Sequence, residues 1–267
     1  MKYGVHLPIF GPFGEPSALV ELAVLAEDNG WDGVFVWDHI WFPGSPPTTD
    51  PVVALGAIAQ ATERVLIGPL VMPLARRRPA KVARETVALD RLSAGRFVLG
   101  VGLGVPRDYA LFGDDPDAKA RGDRTDEALD FLRVAWRGEP VAHEGEEPVV
   151  FEPRPLRPIQ LWGAARASAP PRPFRRAAQL DGIAPVPDTY DPRKGLSAEE
   201  IATVAAKVEG HRGSLDGYDV VAIGSTARGS DPDEYERAGA TWWVEDVHPE
   251  IGGPDWARER LSARPAG

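Results

Sequence analysis

The chain has 267 residues, 43% of them hydrophobic, with no cysteine and a formal net charge of −10. Without cysteine, the chain cannot form a disulfide framework, a thiolate metal site or a thiol nucleophile. Its acidity argues against a nucleic-acid partner, because phosphate binding needs a basic face. The longest apolar stretch, residues 65–75, contains one glycine and two prolines and is too short to span a bilayer, so we expect no membrane partner.

The first ten residues, MKYGVHLPIF, run directly into a strand pattern and lack the apolar region of a signal peptide. This feature and the absence of cysteine, which fits a reducing compartment, predict a cytoplasmic protein. The length suits one large α/β domain, so we treat residues 1–267 as a single domain that acts on a small molecule. Whether the chain forms a homodimer is left open.

Strand-like and helix-like segments alternate along the whole chain. The predicted strands are short apolar runs at residues 3–7, 33–37, 65–71, 96–101, 159–162, 182–185, 218–223 and 240–244. Predicted helices begin near Ser17, Asp50, Pro79, Asp126, Pro173, Ser197 and Asp231, and a short helix over residues 256–261 closes the chain. Residues 139–158, rich in Glu and Pro, predict an inserted loop with at most an edge hairpin. Eight strand–helix units predict a (β/α)₈ TIM barrel, with a doubly wound open sheet as the alternative.

The segment GRFVLGVGLG, residues 95–104, is a buried-strand pattern bounded by glycines. Glycines at the carboxyl end of a strand, such as Gly102, let a backbone approach a ligand closely. The spacing does not match the G-x-G-x-x-G dinucleotide fingerprint. A cofactor contact and a tight strand exit without a ligand therefore both remain open.

Chemistry in a barrel of this kind lies on the loops after the strands. Asp38 and His39 leave the second predicted strand, and Trp41 follows them. An imidazole there can exchange a proton with a bound carbonyl or hydroxyl, and Asp38 can fix its tautomer or position. The alternative is a structural histidine that ties down the loop.

Two further groups of side chains fall at predicted strand ends. The first, His6, His39 and His248, suggests a three-histidine metal site, but no H-x-H or H-E-x-x-H pairing supports it, and we expect no metal. The second group consists of arginines, whose guanidinium forks suit phosphate or carboxylate. Its members are Arg76, Arg77, Arg78, Arg121, Arg124, Arg172, Arg175 and Arg176. Together they predict an anionic ligand at one rim, although each alone is as readily a salt-bridged surface residue.

These pieces resemble the luciferase-like monooxygenase superfamily, in the segments DGVFVWDH, LDRLSAGRFVLGVGLG and LWG…RRAAQLDG. The resemblance covers most of residues 2–182, and its most specific part is the pattern LDxLSxGRFxLGxGxG. It implies a TIM barrel that binds FMN or the deazaflavin F420 at the carboxyl ends of the strands. The implied activity is hydride transfer from reduced F420 to a small organic substrate. Alternatives are an FMN-dependent monooxygenase, a non-catalytic flavin-binding barrel and, from a different class, a metal-dependent hydrolase using His6 and His39.

The resemblance also assigns residues. It implies a catalytic role for His39 and cofactor-binding roles for Leu70, Val71, Arg121, Gly163 and Ala164. From their positions at predicted strand ends, we add Asp38 and Trp41 as catalytic candidates and His6 and Gly102 as cofactor-binding candidates. Leu70 and Val71 match a pair that often forms a cis peptide behind the flavin ring, and Arg121 matches an arginine that contacts the flavin phosphate. Val105 stands where some deazaflavin sugar-phosphate dehydrogenases have a catalytic glutamate, which argues against that activity. Substrate specificity is expected from residues 43–49, 105–120 and 139–157.

Overall fold

A computed structural model describes residues 1–44, 46–142, 147–188 and 195–264 of the chain. Ser45 and residues 143–146, which belong to the predicted specificity loops, lie outside this described part. The strands are β1 (Lys2–Leu7), β2 (Gly33–Val36), β3 (Leu66–Pro69), β4 (Met72–Pro73), β5 (Val98–Gly102), β6 (Gln160–Gly163), β7 (Gly182–Ile183), β8 (Asp219–Gly224) and β9 (Trp242–Asp246). The helices are α1 (Pro16–Asp28), α2 (Pro51–Ala61), α3 (Pro79–Leu92), α4 (Pro106–Leu111), α5 (Ala118–Arg137), α6 (Pro171–Ala177), α7 (Ala198–Arg212), α8 (Pro232–Arg237) and α9 (Pro254–Leu261).

The described strands form one parallel sheet in the order β3-β2-β1-β9-β8-β7-β6-β5-β4. The two outermost strands of this order, β3 and β4, are consecutive in sequence and separated only by Leu70 and Val71. They are two pieces of one stave: β3 pairs with β2, β4 pairs with β5, and a bridge joins Ile67 to Phe97. The sheet therefore closes into a barrel of eight staves, and the predicted (β/α)₈ fold is confirmed.

The peptide bond between Leu70 and Val71 is cis, as the resemblance predicts. The neighbouring strand β5 lies very close to this broken stave because it carries glycines. A Cβ atom at Gly100 would lie 2.3 Å from the carbonyl oxygen of Pro69, and one at Gly102 would lie 2.3 Å from Cγ2 of Val71. The close approach predicted for this strand is thus made to the chain itself.

Alternate residues of the strands face opposite sides of the barrel wall. In β9, Trp242 packs inside the barrel with Phe35 and Trp162, whereas Trp243 belongs to the layer between strands and helices. The ring centroids of Phe35, Trp162 and Trp242 lie 5.4–5.8 Å apart. These rings fill the barrel interior, so the strand ends are where a ligand finds room.

Four helices begin earlier than the sequence predicts, α6 and α9 by two residues each, at Pro171 and Pro254. Helix α1 begins at Pro16, one residue before the predicted cap Ser17. Helix α5 begins at Ala118, where the Asp117 side chain accepts a hydrogen bond from the Ala120 amide, not near Asp126. Its first two turns are polar and carry no apolar stripe, so periodicity misses them and α4 before them. Among the described residues of the predicted loop, 139–142 and 147–158, the edge hairpin is represented by one antiparallel bridge between Val141 and Val149. None of the helices in the described ranges is long and apolar enough to cross a bilayer.

Glu27, near the end of α1, fixes the turn that leads into β3. Its buried carboxylate accepts hydrogen bonds from the backbone amides of Glu63 (2.9 Å), Arg64 (2.6 Å) and Val65 (2.9 Å). Burial alone would raise the pKa of this carboxyl, but the three amide bonds lower it below its ordinary value. Its stabilisation of the fold is therefore complete above the unfolded-state pKa and is lost as the pH falls through the lower folded-state value.

Replacing Glu27 with glutamine should lower the free energy of unfolding at pH 7 by on the order of 2 kcal/mol, because charge-assisted hydrogen bonds are lost. The difference from the wild type should shrink as the pH falls below about 4.3, where the carboxylate of the unfolded chain is protonated. Urea denaturation of both proteins at a series of pH values measures this. A difference that stays constant with pH would contradict the assignment.

Candidate active site

The carboxyl ends of the strands carry a layer of buried ionisable side chains. They are His6, Asp38, Asp108, Arg121, Glu245, Asp246 and His248, each less than a tenth exposed. Ionisable groups are rarely buried unless paired, and their clustering at one end of a barrel marks a candidate functional site.

His39 follows β2 and is more accessible than the two buried imidazoles, His6 and His248, with 28% of its side chain exposed. Its Nδ1 atom lies 3.2 Å from Oδ2 of Asp108, and its ring packs against Phe42 at a centroid distance of 4.9 Å. An ionised carboxylate only accepts hydrogen bonds, so Nδ1 carries a proton. Nε2 is therefore the atom of this ring that can give or take a proton.

Asp108, in the first turn of α4, belongs to a buried ion-pair network. Arg76 donates from Nη1 to Oδ2 of Asp108 (3.0 Å) and from Nη2 to the carboxylate of Asp38. Arg77 donates to the other oxygen of Asp38 at 2.8 Å. The prediction that Asp38 orients His39 is wrong, because both Asp38 oxygens face arginines and Asp108 holds the imidazole. The catalytic role assigned to Asp38 itself stays a prediction.

Four of the eight arginines of the predicted anion rim are paired with aspartates. Arg76 and Arg77 are paired with aspartates as described, and Arg172 and Arg176 both bind Asp126 between α5 and α6. Paired guanidiniums attract a further anion weakly. Of the predicted cluster after the third strand, this leaves Arg78, at the start of α3, outside the described ion pairs.

Arg121 lies inside α5, not before a helix as predicted. Its Nε donates to the Pro116 carbonyl (3.1 Å), and its Nη1 donates to the carbonyls of Leu103 (3.1 Å) and Gly104 (2.7 Å). The side chain thus holds the loop that leaves β5. Within the described part of the chain, Nη2 makes no hydrogen bond, so Nη2 is the nitrogen available to a ligand. Its contact with a cofactor phosphate stays a prediction.

A second polar cluster surrounds His6 in β1. Its Nδ1 lies 3.1 Å from Oδ1 of Asp246, its Nε2 lies 2.9 Å from the Leu70 carbonyl oxygen, and its ring stacks on Trp37 at 5.4 Å. Both nitrogens of His6 face oxygen acceptors, so neither offers a lone pair to a metal. Across the described residues, no three His, Asp or Glu side chains are arranged to hold a metal ion.

His248, after β9, also packs against Trp37, with ring centroids 5.6 Å apart. Its Nδ1 accepts a hydrogen bond from the Glu250 amide (3.1 Å), and burial lowers its pKa. His248 is therefore neutral, with its proton on Nε2.

The remaining predicted contacts also lie along this end of the barrel. Gly163 ends β6, and a Cβ there would lie 3.1 Å from the Ala177 side chain, so this glycine lets the following helix pack closely. Ala164 and Val71 are half-buried and both lie against Gly102. Trp41 is half-buried with the Arg107 guanidinium 4.5 Å from its ring centroid. Their roles toward a cofactor or substrate stay predictions.

The donor set at this end suits a flavin or deazaflavin. Flat side chains offer stacking surfaces, His39 offers a half-exposed imidazole, and Arg121 offers one N–H group that can meet a phosphate. Asp108 is the residue that sequence reasoning missed. The available signal was an acid in the first turn of a helix directly after a glycine-rich strand exit.

Comparison with known proteins adds to this geometry. An F420-dependent glucose-6-phosphate dehydrogenase from Nakamurella multipartita is 34% identical over 169 residues, 59% of this chain and 49% of that protein. A 4-hydroxyprotoasukamycin monooxygenase from Streptomyces nodosus subsp. asukaensis is 32% identical over 213 residues, 76% of this chain and 56% of that protein. The chain spans about half the length of the curated relatives it matches.

The fold has solved counterparts. An F420-dependent secondary alcohol dehydrogenase, in complex with an F420-acetone adduct, superposes with a TM-score of 0.79 at 18% identity. The match covers 98% of this chain and 97% of that one, and at this identity it shows the fold alone. The family model described as luciferase-like monooxygenase matches residues 1–264. The chain therefore belongs to the luciferase-like monooxygenase family.

Proposed function

We propose that this protein is an oxidoreductase that binds F420 at the carboxyl end of its barrel and reduces a small organic substrate. The observation that carries the proposal is the His39–Asp108 pair. A half-exposed imidazole is fixed at 3.2 Å by a buried carboxylate at the end of a barrel strand, where this fold places its reacting groups.

Reduced F420, when bound, supplies a hydride, and the protein supplies the matching proton. In the reductive direction, Nε2 of the protonated His39 ring donates its proton to the substrate oxygen or nitrogen that gains negative charge. The ring then becomes neutral and keeps the proton on Nδ1, which faces Asp108. The Asp108 carboxylate stabilises the charged ring before the transfer, and Arg76 holds that carboxylate in place.

Glucose 6-phosphate is not the substrate that we propose, although several relatives are named for it. By the family resemblance, Val105 stands where some of these dehydrogenases have a catalytic glutamate. In addition, Arg76 and Arg77 are already paired with aspartates. A neutral carbonyl, imine or activated alkene fits these neutralised charges better than a sugar phosphate does.

A second candidate is an FMN-dependent monooxygenase, in which the reduced cofactor reacts with oxygen. The observation in its favour is the Streptomyces monooxygenase, whose match covers 76% of this chain, more than the 59% covered by the Nakamurella dehydrogenase. His39 would have the same position in either reaction.

Anaerobic single-turnover mixing separates these candidates. Protein loaded with reduced F420 or reduced FMN is mixed with a panel of ketones, imines and enones, and separately with oxygen. Oxidation of bound F420 by an organic compound without oxygen is the expected result. Oxidation by oxygen alone, coupled to oxygenation of a substrate, would favour the monooxygenase. Binding without oxidation by either would indicate a non-catalytic barrel.

Arg121→Ala should weaken cofactor binding about ten- to hundredfold, because a charge-assisted hydrogen bond of roughly 1.5–3 kcal/mol is lost. Arg121→Lys is the matched control, since it keeps the charge but loses the Nη1 group that holds the Leu103 and Gly104 carbonyls. Dissociation constants come from fluorescence titration, with thermal unfolding to check the fold. Unchanged affinity in Arg121→Ala would remove Arg121 from the cofactor site.

A further inference from the structure

His6 is placed between two hydrogen-bond acceptors. Its Nδ1 faces the Asp246 carboxylate at 3.1 Å, and its Nε2 faces the carbonyl oxygen of Leu70 at 2.9 Å. The residue is 7% exposed, so bulk water does not compete for either nitrogen. Both contacts come from barrel strands or the segment that joins two of them, which fixes the ring from two sides.

Neither acceptor can act as a donor. A backbone carbonyl carries no proton, and an ionised carboxylate accepts only. Asp246 is ionised: burial alone would raise the pKa of its carboxyl, but the hydrogen bond from His6 and the charges of His6 and Arg228 hold that pKa below its ordinary value. Arg228 donates to the second Asp246 oxygen at 3.0 Å. Each neutral tautomer of His6 would therefore turn one nitrogen lone pair toward an oxygen lone pair.

We propose that His6 is an imidazolium at neutral pH and acts as a fixed cation at the floor of the cofactor site. The charges of the cluster sum to one positive unit, from His6, Arg228 and Asp246. By contrast, Arg76, Arg77, Asp38 and Asp108 sum to zero. Resting on the proposed function, this cation favours the anionic reduced ring of a bound FMN over its neutral oxidised ring.

A second buried histidine, His248, provides an internal comparison for the protonation of His6. His248 also packs against the Trp37 ring, and its Nδ1 accepts a hydrogen bond from the Glu250 amide. Two buried histidines on one tryptophan thus differ in their partners, since His6 faces two acceptors and His248 faces a donor. We expect different protonation of the two rings in the same protein at the same pH.

Nitrogen NMR of the cofactor-free protein with ¹⁵N-labelled histidine tests this directly at pH 7. His6 should show two protonated ring nitrogens, and His248 one protonated and one unprotonated nitrogen, with signals assigned through His6→Gln and His248→Gln. In Asp246→Asn, the amide can donate to Nδ1, so His6 should become neutral with its proton on Nε2. An unprotonated nitrogen on His6 in the wild type, or an unchanged His6 in Asp246→Asn, would overturn the proposal.

The electrostatic consequence has a separate readout. With FMN as the probe, the midpoint potential of the bound cofactor should become more negative in His6→Gln than in the wild type. An unchanged potential would overturn the role of His6 as a cation for the reduced cofactor. Failure of both FMN and F420 to bind would count against the proposed function, whereas the protonation of His6 is decided by the cofactor-free spectra.

Discussion

Replacing His39 with alanine should reduce turnover on the order of 10²–10⁴-fold, the usual contribution of a positioned general acid or base. Cofactor binding should change little, because no backbone hydrogen bond in the described structure depends on this half-exposed ring. The measurement is single-turnover oxidation of the bound reduced cofactor by a substrate identified in the anaerobic panel. His39→Ala should therefore bind the reduced cofactor, and the substrate should oxidise that bound cofactor slowly.

His39→Gln distinguishes proton transfer from loop support. A glutamine side chain can still donate a hydrogen bond to Asp108, but it cannot carry a proton near neutral pH. The turnover of His39→Gln should therefore be nearly as slow as that of His39→Ala. Full activity in His39→Gln would mean that His39 only holds the loop, and Trp41 or Glu245 would then be examined as the reacting group.

Asp108→Asn should lower kcat by about 10²-fold or more, because the neutral amide no longer stabilises the charged His39 ring and can turn its donor toward Nδ1. KM should change much less than kcat, since the side chain of Asp108 is 4% exposed and lies behind His39. The variant should also be destabilised by roughly 3–5 kcal/mol, because Arg76 loses one of its two buried carboxylate partners.

Asp38→Asn is the matched control for that variant. It removes a carboxylate from the same two arginines but leaves the His39–Asp108 contact in place. Asp38→Asn should lose a similar amount of stability to Asp108→Asn, but its kcat should fall much less. If the two variants lose kcat equally, the network acts only as a scaffold, and Asp108 does not position His39.

Much of the fold could be predicted because each stave is a short apolar run followed by its own helix. The break in the third stave could not be placed from periodicity, because residues 65–71 read as one continuous strand. The structure divides this segment because β3 pairs with β2 and β4 pairs with β5. Which strands pair depends on how the whole barrel closes, and a local sequence pattern does not contain that information.

The candidate site, like the fold, could be predicted from the sequence only in part. His39 could be predicted because the local sequence shows where the strand ends and places His39 directly after it. Its partner could not, since Asp108 is 69 residues away and Asp38 is adjacent in sequence. Adjacent residues at a strand end point in different directions, so the nearer carboxylate binds Arg76 and Arg77 while the distant one reaches the ring.

The central claim is that the carboxyl end of this barrel is a flavin or deazaflavin site. Its most direct test is titration of the purified protein with F420 and, separately, with FMN, followed by absorbance and fluorescence. We expect a saturating spectral change at one equivalent per chain for F420, weakened in Arg121→Ala and retained in His39→Ala. No spectral change with either compound, at concentrations that saturate a protein of known affinity, would contradict it.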